Sequence, residues 1–325
     1  MELLKTTFFA NKPAKIQFFA IIVAIIVLIF VPALGTAYTP VFVAWILAYA
    51  VMAVSWTLFS GKTGYVSLAS AAFYGIGMYI QAALGLNVPI VITMIIAAAA
   101  SFGVAFGIGL VTLRLRGVYF TIFTFALALF LNKFIHWFEV KFFHTKGRMV
   151  LAYDNTTIFY CVLVVFVILI FGVLMMNKSR FGLALDCIGQ NEDGAQHAGV
   201  NTTFTKVLAF AISAAPVGAV GAAMATTIGY VDPDIAFKML ASFMPVLMAI
   251  FGGTRSIYGP IVGAVIFYSL QDYLLREWPG AYMIIFGAVM VIVILLMPKG
   301  IFGVVEQIAA KRSRGYDGEV IGDVK

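Results

Sequence analysis

The sequence predicts an all-α polytopic membrane protein, and two observations lead to that prediction. Apolar residues make up 63% of the 325 residues, whereas charged residues make up 11%, against about 25% in ordinary soluble domains. The apolar residues also lie in long runs, and a membrane-spanning helix needs about 20 such residues. This composition excludes a soluble enzyme, a disordered chain and a nucleic-acid-binding protein.

The apolar runs predict about ten transmembrane or half-spanning helices. Membrane strands alternate between apolar and polar residues, whereas a run such as 161–171 (CVLVVFVILIF) is apolar on every face and therefore indicates a helix. The predicted spans are residues 16–34, 40–59, 64–84, 88–113, 117–138, 158–176, 204–229, 239–251, 257–275 and 281–297.

Two of these segments are unusual. Three lysines precede segment 16–34, as in a signal peptide, but the run is long and a second span follows closely. We therefore expect an uncleaved first span. Segment 64–84 is rich in Gly and Ser, which favours a broken helix or a re-entrant segment over a regular span.

Several spans carry glycines three or four residues apart, a spacing that lets helix backbones approach closely. The pairs are Gly103 and Gly107, Gly218 and Gly221, and Gly259 and Gly263.

The basic residues predict the orientation. With ten crossings and a cytoplasmic N-terminus, fifteen of the 21 Lys and Arg residues lie inside and six outside. This bias is typical of cytoplasmic loops and places both termini in the cytoplasm. We expect one permease domain over residues 1–305 and a polar cytoplasmic tail over residues 306–325.

No catalytic or metal-binding pattern is present in the sequence. The three histidines lie in different segments without ligand spacing, so no metal site is predicted. Residues 61–63 (GKT) look like the end of a phosphate-binding loop, but Trp56 stands where that loop needs glycine. We expect this chain to have no cofactor and no ATP site of its own.

The charged residues that are candidates for a role at membrane depth all lie near span ends: Lys133, Asp272 and Glu277. Either these side chains reach toward the membrane interface, or they form part of a proton relay. The first interpretation is favoured, and it indicates a permease that is powered by another protein.

The longest internal polar stretch, residues 177–203, is predicted to be cytoplasmic. Asn191 can cap a short helix over residues 192–198, in which Glu192 and Asp193 favour the positive N-terminal end. Gly199 suits the helix stop. Such a helix is either an ordinary connector or a lever through which a partner moves the membrane bundle.

This stretch resembles the coupling motif of ABC importer permeases, which reads glutamate-alanine-alanine, three residues, glycine. Asp193, Gly194 and Ala195 followed by Gly199 match it with two changes. Wider blocks resemble the branched-chain amino acid permease family, and most closely its second, M-type subunit. These blocks are residues 61–80, 113–127, 181–201, 206–222 and 251–267.

The resemblance implies a type II ABC importer-like bundle in a bacterial cytoplasmic (inner) membrane, and a transport subunit rather than an enzyme. It implies four kinds of partner: a second permease subunit, itself a homologue, two ATPase subunits that bind ATP and Mg, a periplasmic or extracellular substrate-binding protein, and the lipid bilayer. No nucleic acid is expected. The coupling residues carried over are Gln190, Asn191, Glu192, Asp193, Gly194, Ala195 and Gly199.

The family transports branched-chain amino acids, and related permeases carry urea, short amides or aromatic acids. Ala69 and Ser70 stand where the family usually has Gly-His, so the identity of the substrate stays open. Two alternative functions also stay open: a stand-alone secondary carrier and a scaffold subunit. A polar solute needs polar groups along its path. The candidates in the spans are Tyr65, Ser67, Ser70, Tyr74, Thr121, Thr124, Ser213 and Gln271.

Overall fold

The computed structural model describes residues 23–33, 36, 38–113, 115, 117–254 and 256–296. Both termini, the predicted tail 306–325, and residues 16–22 of the first predicted span lie outside these ranges. The described chain confirms the all-α prediction, since it is 81% helical.

A helix stands at each of the ten predicted spans, and further short elements lie between them. The helices are α1 (Val23–Ala33), α2 (Thr39–Trp56), α3 (Ser70–Leu84), α4 (Ile90–Thr112), α5 (Val118–Phe138), α6 (Asn155–Asn177), α7 (Arg180–Gln190), α8 (Glu192–His197), α9 (Thr202–Ile228), α10 (Pro233–Ala236), α11 (Leu240–Gly252), α12 (Tyr258–Glu277) and α13 (Tyr282–Leu296). Short π-helical turns extend α2 (Thr57–Gly61) and α5 (Glu139–Phe143), and β1 (Arg148–Met149) pairs with β2 (Tyr230–Val231) in antiparallel fashion.

Within the described residues, six helical segments are long and apolar enough to cross a membrane: those built on α2, α4, α5, α6, α9 and α10–α11. The 20-residue helix α12 is not among them, although a span was predicted there. Polar residues such as Gln271 and Asp272 dilute its apolar run. The described parts of α1, α3 and α13 are shorter than the roughly 20 residues that a full span needs.

The bundle has two ends, which we name from the elements that lie there. The inner end carries α7 and α8, and the outer end carries β1 and β2. The predicted third span joins them as a broken segment. Residues 64–69 form neither helix nor strand and α3 follows them. Tyr65 contacts Glu192 at the inner end, while Tyr79 contacts Glu139 at the outer end. The expectation that this segment is not a regular helix is confirmed.

Helix α9 forms the centre of the bundle and is the most buried of the six long segments. It packs closely on α3, because a Cβ added at Gly77 would lie 2.0 Å from the Gly218 carbonyl oxygen. A Cβ added at Gly221 would likewise lie 2.2 Å from the Tyr74 carbonyl oxygen. Two of the three predicted glycine pairs, Gly218/Gly221 and Gly259/Gly263, thus lie at close helix contacts.

The third pair, Gly103 and Gly107, does not lie at a close helix contact. A Cβ added at Gly103 or Gly107 would meet no atom within 4 Å among the described residues, so these glycines face outward on α4. The spacing of small residues predicts that helices can approach closely, but it does not say which face meets a neighbour within the same chain.

At the outer end a buried carboxylate organises the loop before β1. Glu139 is 1% exposed, and its oxygens accept from the Gly147 amide at 3.1 Å, the Tyr79 hydroxyl at 3.3 Å and Arg148 Nε at 3.3 Å. These contacts hold the outer loop against α3. The sequence analysis did not single out Glu139.

Candidate functional site

The inner polar stretch folds into two helices that meet at Asn191. Helix α8 is the predicted short helix, while α7 was not predicted, because residues 180–190 were treated as loop. Ser179 starts α7 by accepting from the Gly182 amide at 3.2 Å. We call residues 180–200, which comprise α7, α8 and the turn after them, the coupling segment.

Both ends of α8 are defined by local hydrogen bonds. Asn191 Oδ1 accepts from the Gly194 amide at 2.9 Å, which caps the N-terminus as the sequence predicted. At the other end Gly199 has φ = +87°, and the Val200 amide donates to the Ala195 carbonyl oxygen at 3.1 Å. This left-handed stop favours glycine, so the turn after α8 is encoded in the sequence.

We expect Asn191→Ala to loosen α8, because removal of an N-cap oxygen costs about 1 kcal/mol. Amide hydrogen exchange over residues 192–195 should become faster in the variant. Asn191→Asp is the matched control, since it keeps an oxygen at the same position and should preserve the protection. Equal exchange in all three proteins would show that the cap does not hold the helix.

A buried ion pair joins α8 to the central helix. Lys206, near the start of α9, is 2% exposed, and its Nζ lies 2.5 Å from Glu192 Oε1. The same Nζ donates to the Leu113 carbonyl oxygen at 3.3 Å, and the Tyr65 hydroxyl donates to Glu192 Oε2 at 2.5 Å. Lys206 Nζ also lies 4.5 Å from the centre of the Tyr65 ring. Glu192 is therefore held by α9 and by the non-helical residues 64–69 before α3.

Helix α7 has its own attachment. Lys62 Nζ lies 2.8 Å from Asp186 Oδ1, and a Cβ added at Gly189 would lie 1.9 Å from the Lys62 carbonyl oxygen. The coupling segment is thus fixed to the turn after α2 through α7 and to α9 through α8. A displacement of the segment must move these parts of the bundle with it.

The predicted coupling residues divide into an inward and an outward set. Ala195 is buried and Glu192 is half-buried, so both face the bundle. The outward set is exposed at the inner end of the molecule and comprises Gln190, Asn191, Asp193, Gly194 and Gly199.

Apart from Tyr65, the predicted pathway residues fall into three groups. Tyr65 belongs to the inner ion-pair network described above. Thr121 and Thr124 on α5 hold the non-helical residues 64–69, since Thr121 Oγ1 donates to the Val66 carbonyl oxygen at 2.8 Å and the Leu68 amide donates to Thr124 Oγ1 at 3.1 Å. These two hydroxyls therefore form hydrogen bonds with backbone groups that lie outside any helix.

A second group lines a small internal cavity of about 20 Å³. It contains Ser67, Ser70 and Ser213, together with two α2-region serines that sequence reasoning missed, Ser55 and Ser60. Five serines therefore meet between α2, α3 and α9. A cavity of this size holds about one water molecule.

The third group, Tyr74 and Gln271, lies in a cavity of about 300 Å³ in the outer half of the bundle. We call it the outer cavity. Its walls come from α2, α3, α11 and α12. The aromatic and amide side chains that line it are Trp45, Tyr49, Tyr74, Tyr268 and Gln271. Trp45, Tyr49 and Tyr268 were missed in the sequence, although Trp45 and Tyr49 are one helical turn apart on α2.

At the mouth of the outer cavity, Asp272 is engaged by two neighbours. Its carboxylate accepts from the Tyr38 hydroxyl at 2.8 Å and lies 3.0 Å from Arg276 Nε. Burial and the hydrogen bond to Asp272 raise the pKa of Tyr38 above its usual value, so this hydroxyl stays a donor at neutral pH.

A third, larger cavity of about 550 Å³ opens at the inner end. Its lining residues include Lys62, Asp186, Thr254 and Ser256. Helix α2 and its π-helical extension contribute residues to all three cavities. Across the described parts of the chain, no group of three or more His, Cys, Asp or Glu residues is placed to hold a metal ion.

Comparison with protein families gives a match over most of the chain. The family model described as branched-chain amino acid transport system / permease component matches residues 38–294. No solved structure matches the chain significantly.

Individual relatives are more distant. The chain is 24% identical to the high-affinity branched-chain amino acid transport system permease protein LivM of Escherichia coli, over 78% of this chain and 67% of that protein. It is 28% identical to the LivH permease protein of the same organism, over 43% of this chain and 46% of that protein. It is 29% identical to the xylose transport system permease protein of Haemophilus influenzae, over 39% of this chain and 35% of that protein. The chain thus spans less than half the length of two of these three relatives, which differ in subunit type and in the solute that they are named for.

Proposed function

Because this chain belongs to the family of permease components of branched-chain amino acid transport systems, we propose that it is one membrane subunit of an ATP-driven importer in a bacterial inner membrane. It forms half of a translocation pathway with a second permease subunit. Two ATPase subunits supply the free energy, and a substrate-binding protein delivers the solute at the outer end. The family's members are transport subunits and not enzymes.

The observation that carries the proposal is the attachment of the coupling segment. Helix α8 presents exposed residues at the inner end, while Glu192 and Lys206 join it to the most buried helix of the bundle. A partner that binds and moves α8 therefore acts directly on α9. This arrangement supports transfer of motion from an ATPase, because a packed bundle switches between discrete arrangements rather than deforming continuously.

The cavities support a pathway that opens alternately to the two sides. A cavity of about 300 Å³ lies in the outer half and one of about 550 Å³ at the inner end. Residues of α2 line both. Polar groups in both cavities replace water around a small polar solute, which does not cross hydrocarbon unaided.

Helix α5 supports the presence of a second permease subunit. It is the least buried of the six long segments, and it presents large side chains away from the bundle, such as Tyr119 at 73% and Phe130 at 61% exposure. The face of α5 that packs little within its own chain is the surface that we assign to the second subunit.

The solute that we propose is a branched-chain amino acid, with urea, short amides or aromatic acids as alternatives within the same family. We expect uptake of labelled leucine to fall to background in cells that lack this chain and to return when it is restored. Competition by unlabelled valine, urea, a short amide and benzoate then ranks the solutes. Leucine uptake that is unchanged without the chain would contradict the amino acid assignment.

A purification separates this proposal from a stand-alone carrier. We expect the tagged chain, extracted in mild detergent, to bring with it a second permease and an ATPase in stoichiometric amounts. A chain that purifies alone and drives uptake with an ion gradient would contradict the importer proposal.

A further inference from the structure

The outer cavity contains two buried polar atoms that have unmet hydrogen-bonding capacity. Tyr74 is 7% exposed, and among the described residues neither its hydroxyl nor Gln271 Oε1 has a hydrogen-bond partner. Buried polar groups in proteins are nearly always paired, because an unpaired one costs free energy. Two such atoms that line the same cavity indicate that a bound molecule completes their hydrogen bonds.

The walls of the cavity restrict the chemistry of that molecule. Trp45 and Tyr268 stack with ring centroids 6.4 Å apart, and the Tyr49 ring lies 5.6 Å from the Tyr268 ring. Met52 and Met78 complete the apolar lining. Aromatic faces and apolar side chains favour an apolar body, and ring faces also attract a cationic group.

The polar atoms restrict it further. Gln271 Oε1 is an acceptor and requires an N–H or O–H donor from the ligand, while the Tyr74 hydroxyl donates or accepts. The carboxylate of Asp272 at the mouth adds negative charge, and the exposed Lys238 lies at the same rim. A carboxylate anion without a donor group leaves Gln271 Oε1 unpaired.

We infer that the outer cavity is a solute-binding site within a single permease chain and that it takes a small molecule with an N–H donor on a short apolar body. An amino acid ammonium group and a primary amide share this chemistry. The inference rests on the proposed function, which makes the bound molecule a transported solute. It places one solute site in the half of the pathway that this chain forms.

The test is equilibrium binding to the full-length chain, purified with whatever subunits accompany it, in the absence of ATP. The probes are labelled leucine, isobutyramide and benzoate. We expect leucine and isobutyramide to bind and benzoate to bind at least about tenfold more weakly, because it has no N–H group for Gln271. Equal binding of benzoate would overturn the assigned chemistry.

Two variants test the site itself. Tyr74→Phe removes one unpartnered atom with little change of shape, and Gln271→Leu removes the amide group that carries the other. Each should weaken binding by about three- to tenfold. The melting temperature of the solute-free protein should stay equal or rise, because an unpaired buried group is lost. Tyr273→Phe, the same change on an exposed residue of α12 that does not line the cavity, should alter neither quantity. A lower melting temperature with unchanged binding would assign Tyr74 and Gln271 a structural role and overturn the inference.

Lys238→Met distinguishes the two ligand sources. If the carboxylate of an amino acid lies at the rim beside Lys238, the variant should weaken the binding of leucine, which has a carboxylate. The binding of isobutyramide should stay unchanged. Because binding is measured without ATP, a variant that loses binding does not do so through lost coupling to an ATPase. A chain that binds leucine but purifies without an ATPase would refute the proposed importer and leave the site standing.

Discussion

Replacing Glu192 by lysine is expected to reduce ATP-dependent uptake by at least about tenfold. The substitution places two ammonium groups where the structure has an ion pair at 2.5 Å, and Lys206 is almost fully buried. Loss of one partner of a buried ion pair typically costs about 3–5 kcal/mol. That cost is large enough to detach α8 from α9, since each 1.4 kcal/mol corresponds to about a tenfold change in an equilibrium.

Two further variants separate this mechanism from a simple change of surface charge. Gln196→Lys also adds positive charge to α8, at an exposed residue, and should leave α8 attached and reduce uptake less. The exchanged pair Glu192→Lys with Lys206→Glu should recover part of the uptake, because it restores opposite charges. Uptake and ATP hydrolysis are measured together in proteoliposomes with the complete transporter. If Glu192→Lys transports normally, the ion pair does not link α8 to the bundle.

The helices and α8 were predictable because their signals are local. Apolar runs, the cap at Asn191 and the glycine stop at Gly199 each depend on neighbours within a few residues. The resemblance of residues 181–201 to a coupling motif marked the same stretch. Helix α7 was missed because residues 180–190 are amphipathic and polar, which reads as loop in a chain whose other helices are apolar.

The contacts that define the sites were not predictable in the same way. Glu192 and Lys206 are close in sequence, but Tyr65, which also binds Glu192, is 127 residues away. Tyr74 and Gln271 were both selected as polar residues within spans, yet only the fold places α3 and α12 around one cavity. Composition identifies polar residues in membranes as functional candidates, whereas the fold decides which of them meet.

The fold also decides which glycines meet a neighbouring helix, and this leads to the second prediction of a large effect. Gly77→Ala should severely destabilise the folded chain, although it adds a single methyl group. The new Cβ would lie 2.0 Å from the Gly218 carbonyl oxygen and 2.9 Å from the Ala222 amide nitrogen, so α3 and α9 must separate. Neither contact can be relieved by rotating a side chain, since both atoms belong to the backbone of the central helix. Overpacking of a dense interior costs about 1–3 kcal/mol or more.

Gly103→Ala is the matched control, and the expected effect has the opposite sign. A Cβ at this position meets open space within the described chain, and alanine favours a helix over glycine by about 1 kcal/mol. The melting temperature of the purified protein, followed by fluorescence-detected size exclusion after heating, should fall strongly for Gly77→Ala and stay equal or rise for Gly103→Ala. Both glycines lie in apolar helices and look alike in the sequence. Equal melting temperatures for the two variants would mean that α3 and α9 do not pack at Gly77, and the placement of Tyr74 beside the outer cavity would then lose its support.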